Sequence, residues 1–417
     1  MMIAARDMTW GDSKPTEYWG LCFTALEANS TITMKRSSSL APSVTLETSI
    51  NGRTWKPFSV NNTTIQLKEA GSKVYFRAGE GGNKSLASRS GDSTLYNYFS
   101  ATGKISASGS IQSLLNGDEP TEIINSAYCY YSLFRGCTSL VKAPALPATK
   151  LPSYCYSYMF FGCTSLVEAP ALPATTAQTY CYYSMFRGCT SLVEAPALPA
   201  TTLAGHCYSY MFSGCTSLVE APALPATTAQ TYCYYSMFSD CTSLVEAPAL
   251  PATTLAGYCY QFMFSGCTSL VEAPALPATT AQTYCYSYMF RGCTSLVEAP
   301  ALPATTLAGY CYQSMFSGCT SLVEAPALPA TTLVLGCYNY MFDKCTLLSE
   351  VKVPFPYREW YAGDRTVHWL NGVSASGRFI CHSDLGRNSS ILRGTSFCPN
   401  GWVVENIENI FSQKDGQ

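Results

Sequence analysis

The chemistry-bearing residues of this chain come in files. Cys129, Cys155, Cys181, Cys207, Cys233, Cys259, Cys285, Cys311 and Cys337 form one series. Cys137, Cys163, Cys189, Cys215, Cys241, Cys267, Cys293, Cys319 and Cys345 form a second, and both step by 26 residues without a slip. So many thiols raise two possibilities, a disulfide framework and a metal array. Within a unit the two cysteines are eight residues apart. On a helix that is roughly 12 Å, too far for a disulfide. Metal sites usually pair cysteines across two to four residues, and no unit has that spacing. We therefore read each thiol as a small buried apolar residue filling a tight stack. Cys22, Cys381 and Cys398 lie outside the files, and a bridge between the last two is left open by the sequence.

A file of carboxylates runs beside the thiols: Glu168, Glu194, Glu220, Glu246, Glu272, Glu298 and Glu324, continued by Glu350, with Lys142 in the same slot of the first unit. Like charges about 5 Å apart repel by about 0.8 kcal/mol in water and by far more when buried, so this slot must face solvent. A cation-binding stripe is one reading. We prefer a solubility device, because calcium sites need several convergent oxygens.

Catalysis finds little support. His206 stands in a slot that is Tyr in seven of the other eight units, which marks a packing substitution. His368 and His382 are close in sequence to Asp364 and Asp384, but no nucleophile motif accompanies them. The chain has no G-x-S-x-G, no phosphate-cradling glycine loop and no H-E-x-x-H. No catalytic residue, metal ligand or cofactor is assigned, and we expect no enzyme activity.

The units differ from one another in few places. The second and third residues after the first Cys vary (Tyr131-Ser132, Ser157-Tyr158, Gln261-Phe262, Asn339-Tyr340), and so does the sixth (Arg135, Phe161, Arg187, Asp343). Tyr supplies rigid amphipathic area and Ser and Asn supply adaptable hydrogen bonds, as in antibody paratopes. The candidate ligand-binding face is Arg135, Tyr158, Tyr183, Arg187, Tyr210, Tyr235, Phe262, Tyr288, Arg291 and Tyr340. Relaxed constraint at exposed positions is the competing reading, yet drift would bring Lys and Glu into these slots, and none is there.

A fixed period without insertions means stacked coils, a solenoid of nine 26-residue units over 128–353. The connector alternates between "AQT" and "LAG", so pairs of units repeat every 52 residues. Within a coil, "LAGYCYQFMFSGC" is expected to be a short helix. Leu255, Cys259, Met263 and Cys267 would share a face, with Thr253 or Thr254 at the N-cap and Gly266 at the C-cap. A short strand near Leu270–Ala273 and an extended return should follow, since Pro274 and Pro277 are poor in a sheet.

Ahead of the array, "TITMKRS", "SVTLETSI", "TTIQLKEA" and "SKVYFRAG" read as strands, and Asn51-Gly52 as a hairpin. We expect an N-terminal arm over 1–16 and an all-β sandwich with the solenoid N-cap over 17–127. The sandwich edge, or 116–127, should cover the first coil. A small C-terminal capping module takes 354–417, and 346–375 should cover the last coil, because a bare solenoid end is a sticky edge.

Net charge is −2 and 12% of residues are charged, which argues against a nucleic-acid partner. No run of 18 apolar residues suggests membrane insertion. The start, "MMIAARDMTWGDSKP", lacks the basic and apolar regions of a signal peptide.

The motif "MF-x-GCTSLVEAPALPATT" resembles the BspA-like leucine-rich repeats of gut bacteria and of phages that infect them. "YWGLCFTALEANSTITM" and "HWLNGVSASGRF" with "CPNGW" resemble the modules that flank such arrays. The resemblance implies a non-enzymatic recognition or adhesion protein. Without an export signal it favours a virion fibre or decoration component, made in the host cytoplasm and contacting a bacterial surface glycan or protein. The N-terminal module would then bind other virion proteins or itself. A bacterial cell-surface adhesin is the alternative, and an enzyme in a terminal module ranks third.

Overall fold

The computed structural model describes residues 18–117, 123–356, 358–359, 364–382 and 398–406. The expected arm over 1–16, residues 118–122 of the covering segment and Asp384 lie outside the described residues.

Nine strands build the N-terminal module: β1 (Cys22–Ala25), β2 (Ser30–Arg36), β3 (Leu46–Ser49), β4 (Lys56–Phe58), β5 (Thr64–Leu67), β6 (Lys73–Ala78), β7 (Ala87–Ser90), β8 (Ser93–Thr102) and β9 (Ile105–Ser108). Alternation sorts them into two sheets: Ile32 and Met34 of β2 are buried while their neighbours are not. One sheet runs β5-β2-β8-β7. The other runs β9-β1-β6-β3-β4, and β10 (Leu140–Lys142) of the solenoid joins its edge in parallel to β9. The sheets meet through Phe23, Phe76 and Phe99, whose ring centroids are 5.0–5.6 Å apart. The Asn51-Gly52 hairpin forms between β3 and β4, with the Asn51 side chain accepting the amides of Arg53 and Thr54.

The expected helix is absent from the coils. Left-handed residues recur every fourth position instead: φ is +61° at Tyr154, +56° at Tyr158 and +70° at Gly162. An α-helix cannot pass through such a series, since each left-handed residue reverses the local turn. The backbone pairs by a different scheme. Alternate amides reach the next coil: Tyr156 donates to the Cys181 carbonyl (2.9 Å), Tyr158 to Tyr183 (2.8 Å), Phe160 to Met185 (2.9 Å) and Gly162 to Arg187 (2.8 Å). The amides between them turn back three residues, as from Met159 to Tyr156 and Cys163 to Phe160. Every backbone amide from Tyr154 to Cys163 is thereby used locally or between coils. Gly266, read as a helix cap, is the third left-handed residue of its coil at φ +77°.

The Leu270–Ala273 strand contracts to a single bridge at Glu272, which pairs in parallel with Glu246 and Glu298. The prolines that follow lack amides and stop the ladder there. Two-residue strands form instead in the connectors: Thr176–Ala177 pairs with Thr202–Leu203, 228–229 with 254–255, and 280–281 with 306–307. The 52-residue period thus appears as coils joined in pairs.

The core is one continuous column. In a typical coil Cys181, Tyr182, Met185, Phe186, Cys189, Leu192, Leu198 and Ala200 are all buried. A phenylalanine file stacks from Phe134 to Phe342 at centroid spacings of 5.3–5.7 Å, starting on Phe99 of the sandwich and ending on Trp369. The sandwich thus supplies the rung before the first coil, and Phe99 donates its amide to the Leu133 carbonyl as a preceding coil would. The stack also continues past Val353. Amides of Tyr338, Tyr340 and Phe342 donate to Arg365, Val367 and Trp369, and Glu350–Val353, Gly377–Cys381 and Trp402–Asn406 form a parallel sheet.

Candidate functional site

The thiols offer no reactive site. All 21 cysteines are buried thiols, and none is in a disulfide. The second file is tied into the backbone: Cys189 donates to the Phe160 carbonyl at 3.1 Å and Cys215 to Phe186 at 3.1 Å. Burial pushes the thiols up, to about 12 for Cys137, Cys215 and Cys319, so the nucleophilic thiolate is suppressed. Among the described residues no group of three or more His, Cys, Asp or Glu is placed to hold a metal ion.

Many of the side chains of interest stand on the left-handed residues. The first left-handed residue in each of the first eight coils, just before the first Cys, joins a stack of rings: Tyr128, Tyr154, Tyr180, His206, Tyr232, Tyr258, Tyr284 and Tyr310. Neighbouring centroids lie 4.3–5.0 Å apart with planes within 16°. His206 fills its place as a flat ring between Tyr180 and Tyr232, as its slot implied, and burial lowers its pKa. A left-handed tyrosine costs roughly 1–2 kcal/mol, which ring contacts offset.

Beside this stack runs the predicted face. Tyr158, Tyr183, Tyr210 and Tyr235 form a zigzag row with Tyr131, with centroids 5.1–5.7 Å apart and planes 60–74° apart. Phe262 continues the row, and Tyr288 stacks flat on Phe262 at 4.5 Å. All are half-buried. Arg135 lies over Tyr158 and Phe161, Arg187 over Tyr210, and Arg291 over Tyr288. Tyr340 stands apart, against His368. Contacts such as Tyr180 to Tyr183 (5.4 Å) and Tyr232 to Tyr235 (5.5 Å) join row to stack.

The alternation of Ser and Tyr now has a packing cause. Ser157 turns inward and donates to the Tyr180 carbonyl, and Ser209 does the same to Tyr232. Each of these coils offers one ring and one small partner, and neighbours interlock. Two larger polar residues of the Ser157 and Ser209 slot also face inward: Gln261 is buried, and Asn339 is buried and accepts the Val367 amide. Variation between units pointed to the row but missed the outer stack, because its slot hardly varies. The available signal was a tyrosine immediately before seven of the nine first cysteines. Tyr96 and Tyr98 of β8 extend the row onto the sandwich, a continuation only the fold reveals.

Comparison with protein families matches the BspA type leucine rich repeat region in six copies, over residues 124–245, 208–323 and 258–360. Searches of curated proteins and of solved structures each found no match. No helix among the described residues is long and apolar enough to cross a membrane. The matched stretches run from 124 to 360, more than half of the chain, and cover the coils: the chain belongs to the BspA-type leucine-rich repeat family.

Proposed function

We propose that this is a non-enzymatic recognition protein whose aromatic face attaches to a repetitive ligand on a bacterial surface. The observation that carries this reading is the continuous double row of rings, from Tyr96 on the sandwich to Tyr288, with arginines laid over it. Family membership supports it, since repeats of this type are typical of adhesive, non-catalytic surfaces. The rings of the outer stack cover one another's faces. They offer ring edges and hydroxyls at one-coil intervals, and the zigzag row adds partly exposed rings and charge-assisted donors. Each contact is weak, and repetition converts weak contacts into avidity.

The test is adsorption of the purified protein to bacterial cells. Replacing Tyr158, Tyr183, Tyr210, Tyr235 and Tyr288 together by Ala should abolish adsorption, while a single replacement costs about 1 kcal/mol or less. Circular dichroism reports whether the variant folds. Normal adsorption by a folded five-fold variant would move recognition to a terminal module. The setting, a virion fibre or a bacterial surface adhesin, is read from whether the protein is recovered in purified virions or in the cell envelope.

A further inference from the structure

A second surface uses a different set of slots. A groove runs beside the glutamate file, walled by Val167, Glu168, Ala171 and Pro173 of one coil and by Val193 and Glu194 of the next. The same slots line it again at 194–225 and at 297–326. The seven valines of this wall from Val167 to Val323 are 41–46% exposed, unusual for an apolar side chain repeated in seven successive coils. The glutamates bridge from coil to coil in parallel, except between Glu168 and Glu194 and between Glu298 and Glu324. The groove holds about 730 Å³ beside the first break, about 430 Å³ at 194–225, where the Glu194–Glu220 bridge is intact, and about 440 Å³ beside the second break.

The ends of the file are occupied by cations from the chain itself. Lys142 pairs with Glu168 at one end. At the other, Lys352 pairs with Glu350 at 2.7 Å, and the Arg378 guanidinium joins Glu350 and Glu405 at 2.8 Å each. Arg378 thus spans carboxylates of neighbouring strands. Between the ends, Glu194, Glu220, Glu246, Glu272, Glu298 and Glu324 make no ion pair among the described residues.

We propose that this groove docks an extended lysine- and arginine-rich polypeptide segment along the six open carboxylates. The chain's own Lys142 and Arg378 show the head groups that the file accepts. Valine, alanine and proline walls suit the aliphatic stems of those side chains. Rungs about 4.8 Å apart place six carboxylates over about 24 Å, the length of roughly seven or eight extended residues. Exposed pairs are individually weak, so several must form together.

The probe is fluorescein-labelled octalysine, followed by anisotropy at low salt, with octaglutamate as the charge control. Octalysine should bind and octaglutamate should not, and added salt should weaken the complex. The variant Glu220→Gln/Glu246→Gln/Glu272→Gln should weaken binding by roughly tenfold or more. A control with the same charge change in the sandwich, Glu69→Gln/Glu80→Gln/Asp92→Asn, should bind like the wild type. Failure to bind octalysine, no effect of the triple change, or equal effects of both variants overturns the proposal. Displacement of octalysine by spermine or calcium at equal charge would assign the groove to small cations and overturn the polypeptide. The five-fold tyrosine variant should still bind octalysine, which separates this site from the aromatic face.

Discussion

The ring of Tyr310 lies so closely over Gly336 that a β-carbon on the glycine would overlap the ring edge. Gly336 occupies the slot held by Tyr or His in every earlier coil, at φ +64°, and it ends the outer stack. Its amide is used by the next turn, donating to Asp364 at 2.7 Å. Gly336→Ala should push Tyr310 off Tyr284, on which it stacks at 4.8 Å. The expected cost is about 1–2 kcal/mol, read from the midpoint of urea unfolding. An unchanged midpoint would mean that the end of the stack contributes nothing.

The thiols and inner tyrosines predict sensitivity to alkali. Burial raises the folded-state pKa of Cys129, Cys137, Cys215 and Cys319 to about 12, and that of buried Tyr156 and Tyr182 also rises. For a raised pKa the folded state holds its proton longer than the unfolded chain does. Stability is therefore full below the unfolded thiol value of about 8.5 and falls as pH rises toward 12. Unfolding followed by circular dichroism should be steep in that window. Native alkylation at neutral pH should be slow, whereas in denaturant without reductant at least the 18 thiols of the two files should react. Recovery of most of them oxidised would overturn the stacked-thiol arrangement.

Coil pairing predicts which deletions are tolerated. Removing 177–228 excises one 52-residue block and joins equivalent slots, so the amide ladder and the Ser/Tyr interlock can both re-form. The product should stay folded, because a solenoid's stability is close to a sum over coils and their interfaces. Removing 177–190 breaks the register and should leave the chain unfolded or aggregated. Equal folding of the two products would count against the stack.

The glutamate file should cost stability as long as nothing neutralises it. Glu220→Gln/Glu246→Gln/Glu272→Gln should stabilise the fold at low salt by up to about 3 kcal/mol, seen as a higher melting temperature, and the gain should shrink as salt is added. A lower melting temperature would show that these carboxylates serve the fold.

The period, the solenoid class, the buried thiol files, the outward glutamates and four of the sandwich strands were legible in the sequence. Each depends on side-chain type recurring at a fixed interval, and burial follows type closely. The row Tyr158–Tyr183–Tyr210–Tyr235 was legible too, because its slots differ between units while the frame does not. What the tertiary structure decided is how the backbone travels. A spacing of four residues between Cys259, Met263 and Cys267 fits an α-helix and fits a chain turning left-handed at every fourth residue. Only amides donated to a neighbouring coil select the second, and those partners are 25 residues away in sequence, as Tyr156 is from Cys181. The same contacts decided that tyrosines accept positive φ, since the cost at Tyr180 is met by the rings of Tyr154 and His206 on either side. Neither the end of the stack at Gly336 nor the bridging of Glu350 and Glu405 by Arg378 could be read from spacing, because each depends on which coil comes next.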